Sequence, residues 1–193
     1  LDKSFGVYSV GEFLKTGENS VELSIPAMSI FAEIEPIYLL GDFRVVPEKV
    51  GWSIDATEKE LILGSWKEQD QPFYSWDVKY SKTYSIDDTT RKHALKLGKW
   101  NGTVCEVYVN NKKAGIIGFD PYSLDVSPWL EKGKNQIDVC VIGSLRNLLG
   151  PHYNNPSQGL AGPFNWRNIN APIPPEAYKM VDYGLFEDFE LVY

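Results

Sequence analysis

Short runs of alternating or wholly apolar residues dominate the chain, and turn-forming residues separate most of them. SVELSI (20–25), IYLLGDFRVV (37–46), ELILG (60–64), VKYSKTYSI (78–86), HALKLG (93–98), TVCEVYV (103–109), AGIIG (114–118), NQIDVCVIG (135–143) and GLFEDFELVY (184–193) are rich in β-branched and aromatic residues. That pattern predicts strands. No stretch carries the spacing of a three-turn amphipathic helix. The best helical candidate is one turn at SPWLEKG, with Ser127 as its cap, Pro128 at the first position and Gly133 at its end. A second single turn is expected after Pro174–Pro175. VYVNNKKAG reads as a hairpin, because Asn110 and Asn111 tolerate the positive φ angles of a two-residue turn. Many short strands spaced by turn residues predict an all-β fold, an antiparallel sandwich or barrel.

One pattern occurs twice. FLKTGENSVELSI (13–25) is echoed by WLEKGKNQIDVCV (129–141), with ring, Leu, Gly, Asn and closing alternation in the same places. Upstream, Phe5, Tyr8 and Ser9 match Phe119, Tyr122 and Ser123, with two residues inserted in the later copy. The later copy follows the VYVNNKKAGIIG hairpin, and the earlier one has no hairpin before it. Residues 1–46 therefore read as the trailing strands of a preceding sandwich, and 47–193 as a complete second one. The competing reading is a single domain in which 1–46 adds strands to the same sandwich. A 46-residue remnant cannot bury its own apolar face and is expected to pack on something else.

Composition narrows the function classes. At 21.9 kDa, with 43% hydrophobic and 23% charged residues, the chain can bury a real core. A formal net charge of −7 argues against nucleic acid as a partner. No apolar run approaches the roughly 20 residues of a membrane span. The chain begins at Leu1, so it is expected to be a processed or excised piece, and the lack of a signal peptide carries no information. Cys105 and Cys140 both fall in strand-like runs. They read as two buried free thiols or as a disulfide between neighbouring strands, and neither spacing suggests zinc.

LGSWKEQDQPFYSWDVKYSKTYSI, followed by the 95–153 stretch from LKLGKWNG to LLGPHY, resembles the galactose-binding-like jelly-roll modules of large bacterial glycoside hydrolases. The resemblance is greatest to modules of α-L-rhamnosidase-type enzymes. It is more distant to those of family 2 β-galactosidases and β-glucuronidases. It covers most of 28–193 and includes GLFEDFELVY as a closing strand. Asn111 departs from the Gly usual in the family's hairpin turn, and Trp76 stands where a small residue is usual. The resemblance implies a jelly-roll β-sandwich with extra N-terminal strands, catalytic carboxylates in another domain, and a secreted or periplasmic location. The partners it implies are a rhamnose- or galactose-containing glycan and neighbouring domains of the parent enzyme.

The candidate chemistry agrees with a non-catalytic part. Asp87–Asp88, Glu187, Asp188 and Glu190 read as solvated surface, and neither His93 nor His152 lies near a nucleophile elbow. His93, which precedes a strand, is expected at the surface. Trp66, Phe73–Tyr74 and Trp100 read as core or sheet edge.

The long connection at 143–180 stands apart, because long irregular loops are usually functional. Its candidate sugar-binding residues are His152, Tyr153, Asn154, Asn155, Phe164, Trp166 and Arg167. Their rings can lie on sugar C–H faces, and their amide and guanidinium groups can bond hydroxyls. The alternative is that these rings dock the loop onto a sheet or a neighbouring domain. No cofactor is called for. A structural calcium, which modules of this fold often hold, would draw on Asp120, Asp125 and Asp182. The leading expectation is an accessory module that braces a catalytic domain. A free-standing carbohydrate-binding module and a hydrolase in its own right are the other readings. Nothing in the sequence sets an oligomeric state.

Overall fold

The computed structural model describes residues 6–24, 27, 29–30, 37–56, 60–150 and 174–193. The chain divides into two compact units, Leu1–Leu40 and Gly41–Tyr193.

The larger unit is an antiparallel sandwich. Its described strands are β1 (Phe43–Pro47), β2 (Trp52–Ala56), β3 (Asp77–Ile86), β4 (Ala94–Lys96), β5 (Trp100–Asn101) and β6 (Val104–Val109). They continue with β7 (Lys112–Ile117), β8 (Ser123–Asp125), β9 (Gly133–Ile142), β10 (Gly184–Leu185) and β11 (Glu190–Val192). A four-stranded sheet runs β3-β9-β6-β7, and a three-stranded sheet runs β11-β4-β8. The pairs β1–β2 and β10–β5 complete the described pairings. Every pairing is antiparallel.

The alternation in β9 explains why this strand is central. Ile137, Val139 and Val141 point inward and are fully buried, as are Val107 and Val109 on β6. Leu95, Val126 and Phe189 meet them from the other side of the same core. A Cβ on Gly115 of β7 would come within 2.9 Å of the Leu124 methyls on β8, so the two sheets touch there. Asn110 and Asn111 adopt φ of 49° and 64°, which closes the β6–β7 hairpin with the turn expected of that sequence.

Strand register also settles the cysteines. Cys105 lies opposite Val141, whereas Cys140 lies opposite Glu106. Adjacent positions on paired strands face opposite sides of the sheet. Both thiols are free and buried, so no disulfide joins these neighbouring strands. Burial is the main cause that pushes Cys105 up to about 12 and Cys140 up to about 11.

The smaller unit carries the earlier copy of the repeated motif, and its local geometry reproduces the later copy. A 3-10 turn spans Gly11–Phe13 in one and Ser127–Trp129 in the other. Val10 and Val126 precede these turns at φ −115°, ψ −2° and φ −108°, ψ 1°. Gly17 and Gly133 both take the left-handed bend, at φ 93° and 101°. In the smaller unit the Lys15 amide donates to Asn19 Oδ1 at 2.9 Å, and Asn19 Nδ2 donates to the Lys15 and Gly17 carbonyls at 2.7 and 2.9 Å. In the larger unit the Glu131 amide donates to Asn135 Oδ1 at 2.8 Å, and Asn135 Nδ2 donates to the Glu131 and Gly133 carbonyls at 2.6 and 3.0 Å.

Several sequence expectations need correction. Residues 20–24 of SVELSI form no strand, because a strand of this kind is held by ladders to neighbours. In IYLLGDFRVV only Phe43 onward is a strand, where β2 supplies the ladder. ELILG forms no strand: Gln69 accepts from the Ile62 amide at 2.8 Å and donates to the Ile62 carbonyl at 3.1 Å, and only the Gly64 amide reaches a strand, donating to the Leu185 carbonyl of β10 at 2.7 Å. Ser127 does not cap the turn as expected. Its hydroxyl donates to Asp125 Oδ1 at 2.6 Å and accepts from the His93 amide at 2.8 Å. That link helps bury His93, which was expected at the surface. The short turn after Pro174 is present at Pro175–Ala177.

Candidate functional site

The 143–180 connection leaves the sandwich from a fixed stem. α1 (Arg146–Leu149) is one turn long, and Asn147 within it is buried. Asn147 Nδ2 donates to the Val181 carbonyl at 2.9 Å, and Asn147 Oδ1 accepts from the Val181 amide at 2.8 Å. One amide side chain thus bridges the outgoing and returning chain as a strand partner would. Beside it, the hydroxyls of Ser144 and Tyr183 hydrogen-bond to each other. Tyr183 packs 6.1 Å from the Trp66 ring, and Trp66 Nε1 donates to the buried Tyr80 hydroxyl on β3 at 2.9 Å. The root of the connection is therefore tied to the core.

Trp76 stands at this root with its ring 69% exposed. Its carbonyl accepts from the Gly143 amide at 2.8 Å, where β9 hands over to the connection. There is no room for a side chain at Gly143: a Cβ would lie 2.9 Å from the Trp66 ring and 3.1 Å from the Trp76 carbonyl. A large ring is thus held outward beside the connection, on a backbone that cannot shift freely.

Along the side of β3 away from β9 lies a groove of about 850 Å³. Phe43, Leu61, Tyr74, Tyr80, Lys82 and Phe189 line it, with Glu60 and Asp77 among its polar residues. Lys82 projects from the inward face of β3, where its side chain stays part-exposed. It is held by Asp188 Oδ2 at 2.9 Å and lies 5.6 and 5.5 Å from the centres of the Tyr84 and Phe189 rings. The bond to Asp188 keeps the ammonium protonated above its ordinary range. Burial raises the Tyr74 phenol, with Asp77 adding to it, and the Tyr74 hydroxyl donates to the Asp77 carbonyl at 2.9 Å. Rings, a fixed ammonium and carboxylates beside a strand that pairs only with β9 among the described residues can receive a flat polar ligand or an extended chain.

The sequence-predicted sugar residues His152, Tyr153, Asn154, Asn155, Phe164, Trp166 and Arg167 lie outside the described residues. Their stem is described, and its organiser, Asn147, is not marked out by the sequence. A buried Asn beside Leu148 and Leu149 gives no periodic signal.

The three calcium candidates are not brought together. Among the described residues there is no group of three or more His, Cys, Asp or Glu side chains that could hold a metal. Asp125 is occupied by Ser127. Asp182 takes the Ser65 hydroxyl at 2.8 Å and Lys67 at 3.0 Å. Asp120 is on an exposed bend.

Several other carboxylates are likewise committed to structural partners. Arg44 holds Asp55 below its usual range, Thr90 does so for Asp88, and Ser127 for Asp125. Lys113 and Tyr108 do the same for Glu106. No helix among the described residues is long and apolar enough to cross a membrane.

No family model matches the sequence, and no curated protein matches it. Solved structures resemble it over part of its length. One is rhamnosidase from Novosphingobium sp. PP1Y, at 23% identity and a TM-score of 0.44, over 62% of this chain and 11% of that one. Another is β-D-glucuronidase from Dictyoglomus thermophilum, at 23% and 0.35, over 53% and 18%. A third is a glycosyl hydrolase family 2 member from Bacteroides cellulosilyticus DSM 14838, at 15% and 0.41, over 72% and 16%. Each likeness is confined to a small part of a larger chain. At these TM-scores the all-β sandwich rests on its own strand pairings and not on the likeness.

Proposed function

We propose that this chain is a non-catalytic accessory module of a larger, secreted or periplasmic glycoside hydrolase. In this reading the module braces a catalytic domain and touches glycan beside the 143–180 connection. The sequence resemblance to galactose-binding-like jelly-roll modules supports this assignment. So does the realised order of hairpin, 3-10 turn, Gly-x-Asn corner and alternating strand. The observation that carries the glycan contact is Trp76, an exposed ring fixed at the root of a connection rich in rings and amides. A flat apolar face with polar groups nearby suits the C–H face and hydroxyls of a sugar.

The committed carboxylates fit a bracing role. A glycosidase acid must keep its proton near neutral pH, so its pKa is raised. Asp55, Asp88, Glu106 and Asp125 are shifted the other way, which removes these four from the role of such an acid.

Isothermal titration with rhamnose- and galactose-containing oligosaccharides tests the contact. Sub-millimolar binding is expected, with Trp76→Ala, Tyr153→Ala and Trp166→Ala each weakening it about tenfold, roughly 1.4 kcal/mol. Silence across the panel, or binding indifferent to all three changes, would remove the glycan contact. Hydrolysis of aryl glycosides that is lost on mutating this chain's own acids would remove the accessory role.

A further inference from the structure

The two copies of the repeated motif share a backbone but not a burial. In the larger unit, Val126, Leu130, Asn135, Ile137 and Val139 are buried. Their counterparts are Val10, Leu14, Asn19, Val21 and Leu23. Leu14, Asn19, Val21 and Leu23 are exposed and Val10 is half-buried, with Val21 at 59% and Leu23 at 65%. Tyr8 and Phe13 add exposures of 81% and 75% to the same short stretch. Five exposed large apolar side chains within so few residues are far from the scattered single exposures of an ordinary surface.

The larger unit shows what covers such a face. β9 is flanked on one side by β3 and on the other by β6, whose hairpin turn reaches the corner. Asn110 of that turn donates from Nδ2 to Asn135 Oδ1 at 2.9 Å, and its own Oδ1 accepts from the Gln136 amide at 3.0 Å. Its amide donates to the Gln136 carbonyl at 2.9 Å. The corner and the hairpin turn are thus complementary halves, joined by an Asn–Asn contact. In the smaller unit the receiving half is built to the same dihedral angles and hydrogen bonds.

We infer that residues 6–24 are the closing corner and inner strand of a second sandwich, and that their apolar face docks a β-hairpin with an Asn-containing turn. One further antiparallel strand flanks the other side of Ser20–Ser24. The occupant is polypeptide ahead of this segment in the same protein. Its turn precedes Tyr8 by about as many residues as Asn110–Asn111 precede Tyr122. Asn19 Oδ1 receives the turn Asn, and Val21 and Leu23 enter the core between two sheets. This proposal is independent of glycan binding and survives its failure.

Cleavage by a glutamate-specific protease at Glu22, in this chain and in the full native polypeptide, is the test. The chain alone is expected to be cut at the rate of an unstructured peptide. The native polypeptide is expected to be cut at least about 100-fold more slowly, as for a strand that opens only on sub-global unfolding. Replacing the Asn of the preceding hairpin turn by Ala is expected to restore cutting at Glu22 while leaving β9 protected. Equal rates in the two proteins overturn the proposal, as does a native polypeptide with no hairpin at that spacing. Protection of the chain alone that rises with its concentration also overturns it, because a second copy would then be the occupant.

Discussion

The corners at Gly17-Glu18-Asn19 and Gly133-Lys134-Asn135 have nearly the same geometry, yet only the second leads into a strand. The comparison separates what local sequence builds from what packing builds. A Gly that accepts positive φ and an Asn whose amide bonds two carbonyls suffice for the bend, whether or not it is covered. The alternation that follows is the same in kind in both copies. Among the described residues only β9 has strand neighbours and only β9 is a strand, because strands are stabilised by ladders and cross-strand contacts and not by propensity alone.

The largest break in this symmetry is expected at the Asn. Asn135→Ala leaves the Glu131 amide and the carbonyls of Glu131 and Gly133 without their partner, and removes the contact to Asn110. It should cost about 3 kcal/mol in urea unfolding. Asn19→Ala should move the same transition by less than about 0.5 kcal/mol. A comparable loss at both sites would mean that the smaller unit is as tightly packed as the larger.

Next comes the strand. Val139→Ala opens a cavity beside Val107 and should cost about 2 kcal/mol, whereas Leu23→Ala should change nothing measurable. Smaller still is the bend itself. Gly133→Ala is expected to cost about 1 kcal/mol, because an L side chain is strained at that φ. Gly17→Ala should abolish the local Asn19 hydrogen bonds, seen by NMR, without shifting the global transition.

The smallest effect is electrostatic. Asp125 accepts from the Ser127 hydroxyl and amide, which hold its folded pKa below the ordinary 3.8. A depressed carboxylate contributes stability that is complete above its unfolded pKa and is lost as pH falls through its folded pKa. The Ser127 and His93 amide resonances should therefore titrate only below pH 3.8. In the smaller unit Ser9, not an acid, immediately precedes Val10, as Asp125 precedes Val126, so its turn should show no such titration.

Much of the sandwich was legible in the sequence where a run was long enough to alternate. β3, β6, β7 and β9 were predicted within a residue or two. β5 and β8 have two and three residues, too short to show a period, and they form only because β10 and β4 lie beside them. ELILG has the apolar content of a strand, but Ile62 bonds to the Gln69 side chain and Gly64 alone bonds to β10. The two buried polar groups that organise the ends of the fold, His93 and Asn147, were not legible. Their partners are groups brought close by the fold, 34 residues away for the bonds to Ser127 and Val181. The candidate sugar residues rest on composition, and the structure adds the stem of their connection, held by Asn147, with Trp76 beside it.

Amide hydrogen exchange on the chain, read residue by residue, bears on the contrast between the two copies with the fewest intervening assumptions. Ile137–Val141 are expected to exchange only through global unfolding, while Ser20–Ser24 exchange near the rate of an unstructured peptide, even though both corners keep their Asn hydrogen bonds. Slow exchange of Ser20–Ser24, matching β9, would contradict it.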